Sequence, residues 1–207
     1  EALPILLEVV RNSGMEILGW ERPVRLFLGR VRLVKKAFPE EDWPDGEPER
    51  LLATLPEWLG PYLSGIRSRR DLAALDLLTP LRALFSREML RLLEERAPTH
   101  AVVPSGRRVE IDYLSGGEPI LAVKLQELFG LADTPVVAAG RVPLLLHLLS
   151  PAGRPVQVTR DLRNFWDRGY REVKRELKGR YPKHPWPDDP WNAVPTGKTK
   201  RMLKARS

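Results

Sequence analysis

The chain has 207 residues, 43% hydrophobic and 29% charged, with 34 Lys/Arg, 27 Asp/Glu and no Cys. This is the composition of a folded chain with enough apolar surface for a sizeable core, in one domain or two small ones. The lack of Cys excludes disulfides, thiolate zinc sites and thiol catalysis and suits a reducing cytoplasm, and no stretch reads as a secretory signal or a membrane span.

The start at Glu1, followed by a short apolar stretch from Leu3 to Val10 that carries Glu8, reads as an internal cut. Leu3, Leu6, Leu7 and Val10 recur at helical spacing, with Gly14 as a stop. A second helix opens at Pro23, a residue suited to a first helical turn, and sets Val24, Phe27, Leu28, Val31 and Val34 on one face. Phe38 to Pro48, with three prolines and an acidic run, reads as a connecting loop. Helical signals return over Glu49 to Leu59, Asp71 to Leu78 and Ser86 to Arg96, with Asp71 and Ser86 as expected N-caps.

After Pro98 the period changes to two. Arg108, Glu110 and Asp112 alternate with Val109, Ile111 and Tyr113, and a Ser115-Gly116-Gly117 turn leads to a second strand over Pro119 to Lys124. Leu125 to Phe129 reads as one or two helical turns closed by Gly130. A second hairpin joins Val142 to Leu149 with Pro155 to Thr159 through Ser150-Pro151-Ala152-Gly153. The last helix runs from Leu162 to about Lys178, capped by Asp161 and closed by Gly179. Tyr181 to Pro190 is expected extended along the surface, and the residues beyond Trp191 disordered.

The expected fold class is therefore α+β. A short-helix bundle occupies 1–97, a small antiparallel β-rich module with its closing helix occupies 98–180, and 181–207 is a Pro/Trp-rich segment with a basic tail.

Residues 160–207 hold 14 Lys/Arg against 6 Asp/Glu, so the net charge of +7 belongs to the last quarter. Such an end attracts nucleic acid through phosphate contacts, or is simply a solvated tail. Gly197-Lys198-Thr199 matches the end of a phosphate loop, but Asn192 stands where that loop needs its first Gly. His100, His147 and His184 lack the spacing of a helical zinc site; His147 reads as a core or edge residue and His184 as an exposed turn residue. The acidic pairs Glu94 with Glu95 and Asp188 with Asp189 read as surface charges. No catalytic residue and no metal ligand is expected. Tyr181, Trp186 and Trp191 follow the basic face of the last helix, where rings beside cations stack on bases or staple the tail to the domain.

An ordered set of motifs carries a resemblance. It comprises Arg11-Asn12-Ser13-Gly14-Met15-Glu16-Ile17-Leu18, Trp58-Leu59-Gly60-Pro61-Tyr62-Leu63, Ala97-Pro98-Thr99-His100, Val103-Pro104-Ser105-Gly106 and Ile111-Asp112-Tyr113. It continues with Leu125-Gln126-Glu127-Leu128-Phe129-Gly130, Pro155-Val156-Gln157-Val158-Thr159-Arg160-Asp161-Leu162 and Gly179-Arg180-Tyr181-Pro182-Lys183-His184-Pro185-Trp186-Pro187. Together these resemble the C-terminal region of the HrpB family of ATP-dependent DEAH/RHA-type helicases.

The resemblance implies a bacterial, cytoplasmic parent with two RecA-like motor domains that bind ATP and Mg, followed by helical and oligonucleotide-binding-fold accessory domains. This chain corresponds to the accessory end, with no cofactor of its own. The strands legible here do not by themselves establish a five-stranded barrel. The implied partners are single-stranded RNA or DNA and the motor domains of the same polypeptide, with no membrane. The expected nucleic-acid contacts are Arg107, Arg108, Arg163, Arg171, Lys174, Lys178, Arg180, Lys183 and Trp186. Lys198, Lys200, Arg201, Lys204 and Arg206 form the basic end. A docking module that packs on the motor or another protein is the alternative, and an unrecognised small hydrolase is a more distant one.

Overall fold

A computed structural model describes residues 2–14, 17–114 and 117–204. The chain divides into two compact units, one ending at Ala97 and the other beginning at Pro98. No helix among the described residues is long and apolar enough to cross a membrane.

The first unit contains helices α1 (Ala2–Ser13), α2 (Arg22–Ala37), α3 (Pro48–Ala53), α4 (Leu55–Trp58), α5 (Arg69–Ala73), α6 (Leu78–Ala83) and α7 (Arg87–Arg96). The expected face of α2 is the buried one: Val24, Phe27, Leu28, Val31 and Val34 all lie in the core. Ser86 caps α7 by accepting from the Met89 N–H at 3.1 Å. At α5 the cap is Ser68 rather than Asp71. The Ser68 hydroxyl accepts from the Asp71 N–H, and the Asp71 carboxylate accepts from the Arg67 N–H at 3.0 Å, so Asp71 works from inside the first turn.

The Pro-rich segment after α2 is a connection, but it is pinned from several sides. Trp43 and Phe38 are buried, Lys35 pairs with Asp45 at 2.8 Å, and the Arg96 guanidinium both meets Glu41 at 2.6 Å and lies 3.9 Å from the Phe38 ring centre.

The second unit is built on a five-stranded sheet in the order β1-β2-β3-β6-β7. Its strands are β1 (His100–Val102), β2 (Arg108–Asp112), β3 (Ile120–Lys124), β6 (Leu145–Leu149) and β7 (Pro155–Thr159); β4 (Val136–Val137) and β5 (Val142–Pro143) form a separate small hairpin. Both expected hairpins are present as the antiparallel pairs β2/β3 and β6/β7, although Ser115 and Gly116 of the first turn lie outside the described residues.

The sheet is not antiparallel throughout: β3 and β6 run parallel, with Leu121 opposite Leu146 and Val123 opposite Leu148, all four fully buried. Among the described strands β1 and β7 are the two edges.

A helical run from Leu162 to Arg180 packs in this unit as α8 (Leu162–Asn164), a widened π turn over Phe165–Gly169, and α9 (Tyr170–Arg180). Asp161 caps it by accepting from the Asn164 N–H at 2.9 Å. Gly169 permits the π turn, since a Cβ there would sit 2.8 Å from Cδ2 of Phe165. Phe165, Trp166 and Tyr170 join Phe129 in an aromatic cluster with edge-on and tilted contacts, including 5.1 Å between the Phe165 and Trp166 rings.

The segment after α9 departs from expectation. Residues beyond Trp191 are ordered as far as Lys204: Thr196 is buried, its N–H donates to the Gln126 carbonyl at 2.9 Å, and a short helix α10 (Lys200–Lys204) follows. The prolines of Tyr181 to Pro190 lack N–H groups, but the carbonyls of that stretch are used. Gln126 Nε2 donates to Pro185 O at 2.5 Å, Tyr170 Oη donates to Pro187 O at 2.9 Å, and the Gly130 N–H donates to Pro190 O at 3.0 Å. The segment therefore folds back on the second unit and is not a free tail.

Candidate nucleic-acid interface

The expected contact residues divide by what neutralises them. Arg163 donates to Asp133 at 2.9 Å, Arg180 pairs with Glu176 one helical turn back at 3.2 Å, and Arg107 Nη2 lies 3.0 Å from Glu127 Oε2. The Arg107 contact has an ion-pair distance but not hydrogen-bond geometry, leaving the buried Glu127 Oε2 and the nearby Ser105 Oγ without hydrogen-bond partners. Lys174, with a largely covered side chain, donates to Asp188, and this contact holds the Asp188 carboxyl below the usual carboxylate range. These four cations are spoken for.

Arg108, Arg171, Lys178 and Lys183 are exposed and have no ion-pair partner among the described residues. Arg108 lies on β2, while Arg171 and Lys178 are seven positions apart on α9 and so share a face. Lys183 is joined to the chain end because the Lys200 N–H donates to its carbonyl at 2.9 Å. Lys200 Nζ donates to the Pro182 carbonyl at 3.1 Å and has no carboxylate partner among the described residues.

Trp186 does not serve as an open stacking platform. Its side chain is buried and its indole N–H donates to the Tyr181 carbonyl at 2.9 Å, so the ring staples the returning segment to the domain. Trp191 is half-buried with Arg163 at 5.7 Å from its ring centre.

Beside Trp186 lies a cavity of about 560 Å³. Phe129, Pro185, Trp186, Pro187, Val194 and Leu203 give it apolar walls, and Lys178, Lys200 and Asn192 supply polar groups at it. Four of these residues, Asn192, Val194, Lys200 and Leu203, come from the stretch expected to be disordered. No local pattern in the sequence brings them together with α9; only the fold-back does.

Gly197-Lys198-Thr199 is not in a strand-loop-helix context. Gly197 lies against Glu127, with a Cβ at its position only 3.0 Å from Oε1, and the Lys198 N–H donates to the Thr196 hydroxyl. His184, expected exposed, is half-buried. Burial, and secondarily Lys124, pushes its pKa down, and its Nδ1 has no hydrogen-bond partner. Among the acidic pairs, Glu94 meets the buried Arg30 at 2.8 Å, Glu95 meets Arg91 at 3.0 Å, and Asp189 closes a local turn by accepting from the Trp191 N–H and the Asn192 side chain.

The chain is a helical unit and a sheet unit, the latter carrying exposed cations and a lysine-edged cavity. The sequence model of the family described as "ATP-dependent helicase C-terminal" matches residues 58–190, and this chain belongs to that family. It is similar to the ATP-dependent RNA helicase HrpB of Escherichia coli (strain K12), with 47% identity over 95% of this chain and 24% of that protein.

Two solved structures are similar as well. The E. coli DExH-box NTPase HrpB matches with a TM-score of 0.87 and 47% identity over 93% of this chain, and the E. coli DEAH/RHA helicase HrpB matches with a TM-score of 0.76 and 44% identity over 90%. In each case the chain spans 24% of the relative's length.

Proposed function

We propose that this chain is a non-catalytic C-terminal accessory module of an ATP-dependent RNA helicase, and that it holds single-stranded nucleic acid while the motor works. ATP and Mg then belong to the motor domains of the parent polypeptide, which is a cytoplasmic bacterial enzyme on this reading. The observation that carries the proposal is that Lys178 and Lys200 line one cavity where α9 meets the returning segment, with Lys183 joined to Lys200 through its backbone, all three exposed and without an ion pair among the described residues. Uncompensated cations attract a phosphate backbone, and release of its counterions supplies sequence-independent affinity. The module thus contributes retention rather than chemistry, and the oligonucleotide-binding character of the sheet belongs to the same proposal.

Fluorescence anisotropy with a labelled single-stranded RNA, across a salt series, tests this reading. Affinity should fall linearly on logarithmic axes, with a slope of about −0.7 per phosphate neutralised. Absence of binding at low salt overturns it.

Docking on a protein surface is the second reading, favoured by the edge strands. Val102 on β1 is 71% exposed and Val158 on β7 is 49% exposed, beside unpaired strand edges. Salt-insensitive association with the motor domains, with no RNA binding, would select it.

A further inference from the structure

We propose that the cavity between α9 and the returning segment takes one unpaired nucleotide, its base against Pro187 and Val194 and its phosphate between Lys178 and Lys200. This rests on the nucleic-acid reading above and gives it a specific site. The volume of about 560 Å³ falls within the roughly 300–1,000 Å³ of small-molecule pockets, which suits a nucleotide and excludes a duplex.

The apolar walls, Val194 among them at 78% exposed, offer a base apolar surface to cover, and every base has an apolar face to place there. Lys178 and Lys200 provide charge complementary to a phosphate. Asn192 donates its side-chain amide to Asp189 at 2.7 Å, which leaves the amide carbonyl oxygen to accept from an exocyclic amino group. A paired base is stacked and cannot enter, so the site discriminates single strand from duplex.

The test compares two oligonucleotides of equal length and charge on the full chain at low salt, one with bases and one abasic throughout. A strand carrying 5-iodouridine is cross-linked in parallel and the attached peptide identified by mass spectrometry. The base-bearing strand should bind about tenfold more tightly, and the cross-link should fall within residues 185–203. Equal affinities overturn the pocket while leaving the charge-based reading intact. A base preference with the cross-link on β2 or another surface also overturns it. If neither strand binds at low salt, the nucleic-acid reading itself fails.

Discussion

Lys174 on α9 donates a hydrogen bond to the Asp188 carboxylate, 14 residues further along the chain, and so ties the returning segment to the helix whose basic face it follows. One cation of that face is thereby used for architecture, while Lys178 one turn later is exposed, makes no ion pair among the described residues and acts on Asp188 only through its charge.

This ion pair predicts a pH dependence. Lys174 lowers the Asp188 pKa in the folded chain, so the contribution of the pair is complete above the ordinary aspartate value of about 3.9 and is lost as pH falls through the lower folded value. Hydrogen-exchange protection over residues 186–204, corrected for the pH dependence of intrinsic exchange, should therefore hold from neutral pH down to about pH 4 and fall below it. Asp188→Asn should lower protection there at neutral pH and remove the Asp188 part of the acid step, leaving that of Asp189, whose carboxyl the Asn192 side chain also holds below the usual carboxylate range.

Trp186 is buried and hydrogen-bonded as a staple rather than a stacking ring, and two variants separate those roles. Trp186→Ala should destabilise the second unit by about 3–5 kcal/mol, as expected for removal of a buried aromatic side chain. Trp186→Phe keeps most of the apolar contact but gives up the hydrogen bond to the Tyr181 carbonyl, at a cost of about 1 kcal/mol. Thermal unfolding measures both. Unchanged stability with lost RNA binding would restore the stacking role.

Gly169 should not tolerate a side chain. Its Cβ would meet the Phe165 ring at 2.8 Å inside the aromatic cluster, and the resulting overpacking in Gly169→Ala should cost about 1–3 kcal/mol in denaturant unfolding.

Arg30 is 4% exposed and closes the C-terminal end of α7, donating to Ala97 O at 2.5 Å and Leu93 O at 3.3 Å while pairing with Glu94. Arg30→Met keeps the apolar stem but strands those carbonyls, which predicts a loss of about 1–3 kcal/mol from the first unit by chemical denaturation.

What was legible in the sequence was local. The 3.6-residue period of α2, the Ser86 cap and the alternation in β2 each depend on neighbours a few positions apart, and each is realised. The parallel pairing of β3 with β6 leaves no such trace, because it joins strands separated by an intervening turn and the small β4/β5 hairpin. β1, three residues long, is too short to show a period.

The candidate site was half legible for the same reason. A basic helix face can be read from spacing, but Lys174 and Lys178 look alike until Asp188 is seen to hydrogen-bond Lys174 and to feel Lys178 only through its charge. Composition also misled at 192–204. A polar, basic stretch reads as solvated, yet Thr196 is anchored by the Gln126 carbonyl and Lys200 by those of Pro182 and Lys183, none of which announces itself locally. Arg206 lies outside the described residues.

Cations already met by carboxylates and cations without an ion pair should respond differently to removal. Single-stranded RNA binding is measured across a salt series for two triple variants, Arg107, Arg163 and Arg180 to Ala and Lys178, Lys183 and Lys200 to Ala. The arginine set should retain affinity within about twofold, because those charges are already met by carboxylates. The lysine set should lose most low-salt affinity and reduce the salt slope by about 2, at roughly 0.7 per contact removed. Equal losses in both variants, or a larger loss in the arginine set, would show that ion pairing does not decide which cations hold RNA.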